Sequence, residues 1–413
     1  MRAAILGLAC GGALASLASG GCVDHQAGIS GTQSIQVDLV APADPGSINN
    51  RLENNQPTVT VNLTAYDAAF EVDTAFDHPV HLYVQYLGTL TPLLGSDRLP
   101  MVAAMTAGQA LGVQATFPAV YGPTTLWVDD AVSINPTFDK PTITPSYATG
   151  TSPALWFRDA YIADIQRPAV ETALDALSAS PLENKQIAVN SSRYGAVGRL
   201  VVTSVFSQGY TVSDVACSDA AGTPPCTAQA YDHVEVFSFS APRDQNGRLL
   251  RQGQVIDGFS GGISEFNGLT EIGFPVTFAS DSDVDPARLP TPVALDPATW
   301  FKPLSDPNGI INFERNEAAP ISITGAVVCM LDDDYDTFKQ WKLDPSGRGG
   351  DCSSNSNVLN VITAGVIGDL DPATLVGKTI PRVVGVVRPV ELPGFNVWII
   401  FPRSADDLTL PPQ

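Results

Sequence analysis

The sequence predicts an all-β fold built from several modules, and three observations carry that expectation. Short runs rich in Val, Ile, Thr, Tyr and Phe recur along the 413 residues, separated by Gly, Pro, Asn and Asp. The chain has 35 Gly and 33 Pro, yet hydrophobic residues still make up 44% of it; that balance fits a loop-rich β protein and argues against disorder. Clear helical periodicity is confined to 168–177, where Pro168 opens an Ala-rich segment with Val170, Ala173, Leu174 and Leu177 on one face.

The elements follow in order. Residues 1–21 read as a signal peptide: Arg2 precedes a run of small apolar residues that ends at Gly20-Gly21-Cys22 and is too short to span a bilayer. A Cys after small residues resembles the cleavage site of bacterial lipoproteins, which implies lipidation of Cys22; Ser19 stands where such sites usually carry Leu. Simple secretion is the alternative. Residues 22–34 are short and polar, a tether. Over 35–160, Ile35, Val37 and Leu39 alternate with polar residues, as do Val59, Val61 and Leu63. Runs at 80–86, 109–117 and 124–130 continue the pattern, which predicts an Ig-like β-sandwich. The 168–177 helix lies in a connector over 161–185.

Four short β runs between 198 and 278 read as a small antiparallel barrel occupying 186–280, an OB-like module. Residues 281–319, with Pro286, Pro290, Pro292, Pro297 and Pro303, read as a Pro/Asp-rich linker. A second set of runs over 320–410 predicts another OB-like barrel, a divergent duplicate of the first by strand count. With Cys10 in the signal peptide and Cys22 at its end, the remaining cysteines fall into two close pairs. Disulfides Cys217–Cys226 and Cys329–Cys352 are the economical reading and imply an oxidising compartment. No C-x-x-C spacing occurs, which argues against zinc.

The run Gly262-Ile-Ser-Glu-Phe-Asn-Gly-Leu-Thr-Glu-Ile272 resembles the non-catalytic OB-fold modules of secreted bacterial nucleases. Leu289-Pro-Thr-Pro292, Asn312-Phe-Glu-Arg-Asn-Glu-Ala-Ala-Pro-Ile-Ser-Ile323 and the closing Pro402-Arg-Ser-Ala-Asp-Asp407 extend the likeness over about 186–408. The resemblance implies barrel modules on an exported protein. Those nucleases cut with a separate domain that carries His and several acids around a divalent metal, and no segment of that size and pattern is left over here. The likeness therefore implies no nuclease activity.

Gly258-Phe-Ser-Gly-Gly262 matches G-x-S-x-G, but it lies between β runs and no His follows His233, so a bend in a strand is the better reading. His78 and His81 flank Pro79 at a strand start, which suits half-exposed strand histidines better than a metal pair. Asp332, Asp334 and Asp336 alternate in a way that can offer oxygens to Ca²⁺, as do Asp281, Asp283 and Asp285. Both lack the Gly and Glu of an EF-hand loop, so a solvated acidic loop is the alternative. On the first barrel, Tyr210, Phe237 and Phe266 are candidates for stacking on a ligand and Arg251 for meeting an anion.

The formal charge of −21 weighs against a polyanionic partner, because phosphate binding rests on Lys and Arg. The expectation is a non-enzymatic, exported, lipid-anchored protein of the cell envelope that binds a protein or glycan. It has no catalytic residues and no cofactor beyond the Ca²⁺ considered above. An accessory protein that binds single-stranded nucleic acid without cutting it is the alternative, and a hydrolase ranks third.

Overall fold

The computed structural model describes residues 31–86, 98–130, 148–171, 178–280, 282, 284–392 and 395–412. The expected signal peptide, Cys22, most of the tether, and Asp281 and Asp283 lie outside the described residues. The described chain is all-β, with nearly closed, barrel-like sheets. It divides into two compact units, one ending at Phe157 and the other running from Arg158 to Gln413.

The first unit contains β1 (Ser34–Ala41), β2 (Thr58–Tyr66), β3 (Pro79–Tyr86), β4 (Arg98–Ala104), β5 (Gln109–Thr116), β6 (Pro123–Asp130), β7 (Thr149–Thr151) and β8 (Leu155–Trp156). Their order is β4-β3-β6-β7-β1-β2-β5, with β8 paired to β6. Period-2 patterning sets the core: Val59, Val61 and Leu63 on β2 and Val80, Leu82 and Val84 on β3 all point inward. β1 runs parallel to β7, where Gly150 packs so closely that a Cβ would lie 1.7 Å from the Ile35 carbonyl oxygen. The sequence reading missed β4, β7 and β8.

The second unit opens with α1 (Ile162–Gln166). This helix ends at Arg167 because Pro168 follows and disfavours helical backbone before it. Residues 172–177 of the expected helix lie outside the described residues.

The first barrel comprises β9 (Gln186–Val189), β10 (Gly198–Phe206), β11 (Gly209–Ala216), β12 (His233–Phe237), β13 (Val255–Ile256), β14 (Gly258–Phe266) and β15 (Leu269–Phe278), in the order β13-β10-β11-β12-β15-β14-β9. β12 and β15 are parallel, and the other pairs are antiparallel. Short β13 and long β14 meet at Asp257. β15 supplies the fifth barrel strand.

The second barrel repeats this plan. β17 (Pro320–Val328), β18 (Gln340–Asp344), β19 (Leu359–Ile362), β20 (Thr379–Leu392) and β21 (Phe395–Phe401) pair in the order β17-β18-β19-β21-β20, and β20 closes back onto β17. β19 and β21 are again the parallel pair. Numbered within each barrel, the strands run 1-2-3-5-4 in both, so the two OB-like modules share one topology. Short β16 (Val293–Ala294) and β22 (Leu408–Thr409) flank the second barrel.

The expected linker is instead a packed part of the second barrel. α2 (Pro297–Trp300) and α3 (Ile311–Arg315) deliver Trp300 and Phe313 into its core, where Phe313 stacks on Trp398 at 5.3 Å. The prolines limit regular pairing, but the large apolar residues between them still need burial. The closing motif has a structural role too: Ser404 caps the turn at Ala405–Asp407, and Arg403 holds Asp407 with two bonds of 2.7–2.8 Å.

Both disulfides are formed, Cys217–Cys226 and Cys329–Cys352. Each closes a short loop, which in the chain-entropy picture stabilises by roughly 2–4 kcal/mol. They are consistent with an oxidising compartment. No helix among the described residues is long and apolar enough to cross a membrane.

Candidate functional site

A cleft of about 930 Å³ lies within the second unit, between the end of the first barrel and strand β20 of the second. It opens beside the β10–β11 and β14–β15 turns, the end of an OB-like barrel where ligands commonly bind. β14 and β15 shape its floor: Gly262 and Gly273 are register partners lining the cleft, so the strands lie bare of side chains there. The far wall comes from Arg388, Pro389 and Val390 on β20 and from Phe401 on β21. The Glu391 N–H donates to the Asn267 carbonyl at 2.7 Å and ties that wall to the β14–β15 turn.

Aromatic side chains form the rim. Phe237, the last residue of β12, meets Phe239 edge to face at 4.6 Å, and Phe239 meets Phe274 at 5.0 Å. Phe239, Phe266 and Phe274 are 56%, 62% and 81% exposed. The Phe239 and Phe274 backbones have φ of 57° and 50°, the left-handed region that bulky residues avoid. Held conformations of this kind concentrate at binding and catalytic sites.

Carboxylates lie deeper. Glu235 on β12 and Glu271 on β15 are register partners across the parallel pair, and Glu265 on β14 also lines the cleft. Arg388 reaches across to Glu235, Nε to Oε2 at 2.7 Å, with its guanidinium 4.3 Å from the Phe206 ring centre and 5.0 Å from that of Phe401. A planar, weakly hydrated cation suits this slot between two rings. The Glu265 Oε1 accepts from the Ser180 N–H and the Thr270 hydroxyl. Burial, aided by the Glu235 charge, pushes Glu271 up to about 7, and Arg388 only partly offsets this. Burial raises Glu235 and Glu265 as well.

Behind the cleft the carboxylates continue. Glu317 Oε1 accepts from the Thr270 N–H and from Gln166 Nε2, both at 3.1 Å. Burial lifts Glu314 to about 8; burial and the Glu314 charge raise Glu317 as well. Both residues come from the segment that resembles the nuclease-associated modules.

Of the four expected ligand-binding residues, the structure brings Phe237 and Phe266 to this cleft. Tyr210 is a correction: it is 0% exposed, and its hydroxyl pairs with Thr277 at 2.8 Å in the barrel core. The alternation of β11 turns that ring inward, where it cannot stack on a ligand. Arg251 is exposed but lies outside the cleft lining. Asp332 and Asp334, candidates for Ca²⁺, hold the Lys342 ammonium at 2.6 Å each, and Asp336 is not part of that ion pair. No group of three or more His, Cys, Asp or Glu suited to a metal occurs among the described residues.

Ser260 sits in β14, where the register shifts between Ser260 and Gly262, so the G-x-S-x-G run is a bulge in a strand. His81 pairs with Asp129 at 3.3 Å, and His78 packs edge-on to Phe76. The structure adds one unforeseen Ser–His contact, Ser213 Oγ to His233 Nδ1 at 2.6 Å. Both residues are enclosed in the barrel, and burial lowers His233 to about 3, which leaves the ring neutral.

Sequence reasoning missed Arg388, Phe206 and Phe401, whose meeting depends on the packing of the two barrels. Arg388, set among the valines of β20, was the available signal. No protein-family model matches this chain, and no curated protein matches it in sequence.

Proposed function

We propose that this chain is a non-enzymatic, exported binding protein of the cell envelope, lipid-anchored at Cys22, that receives a protein or glycan in the aromatic-rimmed cleft. The observation that carries this reading is the continuous Phe237–Phe239–Phe274 array, exposed at Phe239 and Phe274, part of it held in a costly backbone conformation, over a preformed cavity. The oxidising compartment implied by the disulfides supports export. The strand groups β5-β2-β1 and β4-β3-β6-β7, joined where β1 runs parallel to β7, support an Ig-like module ahead of the barrels.

The second reading, an accessory protein that binds single-stranded nucleic acid, draws on the resemblance to nuclease-associated modules and on aromatics available for stacking. The cleft argues against it, because Glu235, Glu265 and Glu271 would face phosphates.

Binding of the purified exported chain to peptide and glycan arrays tests the proposal. A ligand should emerge whose affinity falls at least about tenfold in the Phe239→Ser, Phe274→Ser double variant. Retention of an oligothymidylate at low salt, lost steeply as salt rises, would move the protein to the second reading. Ligand binding indifferent to the two phenylalanines would remove the cleft from consideration.

A further inference from the structure

We propose that the cleft is a receptor for a lysine side chain flanked by apolar residues on a basic polypeptide partner, with Glu271 as the carboxylate that meets the ammonium. The inference rests on the cleft being the binding site. It follows from how charge is distributed there. Arg388 is committed to Glu235 at 2.7 Å and is held between two rings. Glu265 accepts from Ser180 and Thr270 through Oε1, and its Oε2 is shut off from solvent, out of reach of an entering cation. Glu271 remains: it is 8% exposed, lines the cleft, and feels the charges of Glu235, Arg388 and Glu265. No hydrogen bond from the described residues reaches its carboxylate. Its carboxylate is not among the buried, unpartnered side-chain atoms, so a cation entering the cleft can reach it and favours its charged form.

The rest of the site suits the remainder of such a ligand. An aliphatic stem can lie along the bare Gly262–Gly273 floor, and neighbouring apolar side chains can cover Phe239, Phe266 and Phe274. Exposed rings at the entrance also attract a cation. Lys185 also lines the cleft and is largely buried, so three lining carboxylates stand against Lys185 and Arg388. At long range, the formal charge of −21 attracts a basic partner and repels an acidic one.

Fluorescence anisotropy with three labelled peptide amides, Phe-Leu-X-Leu-Phe with X as lysine, norleucine or glutamate, tests the assignment on the whole exported chain. The lysine peptide should bind at least about tenfold tighter than the norleucine peptide, with the glutamate peptide weakest. Glu271→Gln should erase the lysine preference, so that the lysine and norleucine peptides bind alike. In the unaltered protein, one-proton linkage to a carboxyl titrating at about 7 makes the lysine preference grow about tenfold from about pH 6 to about pH 8. That measurement stands even if the variant misfolds. Equal binding of the lysine and norleucine peptides, or a lysine preference that survives Glu271→Gln, overturns the proposal while leaving the cleft a binding site. Binding of none of the three peptides overturns it as well, and the array result then decides the cleft separately. Displacement of the lysine peptide by chitotriose with equal strength in both proteins assigns the cleft to a glycan instead.

Discussion

At the scale of single residues, the Arg388–Glu235 pair joins the two barrels and organises the cleft. Glu235 is almost fully buried and Arg388 largely so, so each depends on the other for compensation. Replacing Arg388 by Met leaves an uncompensated buried carboxylate and is expected to cost about 3–5 kcal/mol. Pairing Arg388→Met with Glu235→Gln should recover a large part of that loss, because neither charge then remains. Urea denaturation of the four proteins in the cycle measures the coupling, and simple additivity of the two single changes would contradict this account. The pair also shows how far a residue's role was legible in the sequence. Glu235 was visible as one of several acids on a β run, but its partner lies in another module and became evident only once β20 was seen against β12. Tyr210 shows the same limit. The alternation of its strand was readable, but whether that face met ligand or core depended on what packed against it.

At the scale of elements, β14 tests the meaning of the Gly258–Gly262 run. A Cβ on Gly261 would lie 2.5 Å from Ile272 Cγ2 and 2.6 Å from the Gly273 carbonyl oxygen. Gly261→Val should therefore destabilise the protein by about 1–3 kcal/mol through forced movement of β15. Ser260→Ala, at a half-buried position on the same bulge, should stay within about 0.5 kcal/mol. Chemical denaturation of both variants checks the contrast. A large effect at Ser260 with little at Gly261 would contradict the strand-bend reading. The 281–319 segment teaches a complementary lesson. Its prolines correctly signalled little regular pairing, but Trp300 and Phe313 between them carry too much apolar surface for an exposed linker. The strength of a strand-breaking signal says nothing about burial, so the sequence pattern concealed a segment of the core.

At the scale of the whole molecule, the buried carboxylates set how stability responds to pH. Glu271 is raised to about 7 and Glu314 to about 8, and Glu317 is raised as well. A raised carboxyl binds its proton more tightly in the folded chain. Its contribution is therefore fully present at low pH and is lost as pH rises through the folded value. Between about pH 8 and about pH 6.5 these groups act together, so the melting temperature should rise as pH falls through that window. Below it, His233, lowered to about 3, works in the opposite sense as the unfolded imidazole takes up protons. Glu314→Gln should flatten the slope between pH 8 and pH 6.5 by up to one proton, measured by calorimetry across that range. A melting temperature that rises with pH there would refute the assignment. Taken alone, the sequence determined the all-β class, two barrel modules and both cysteine pairings, because period-2 patterning, turn residues and cysteine spacing are local signals. The tertiary structure decided where the cleft lies, which carboxylates share it and which aromatics face solvent. Those properties arise where β12 and β15 of one barrel meet β20 of the other, and burial there depends on long-range packing that no local pattern records.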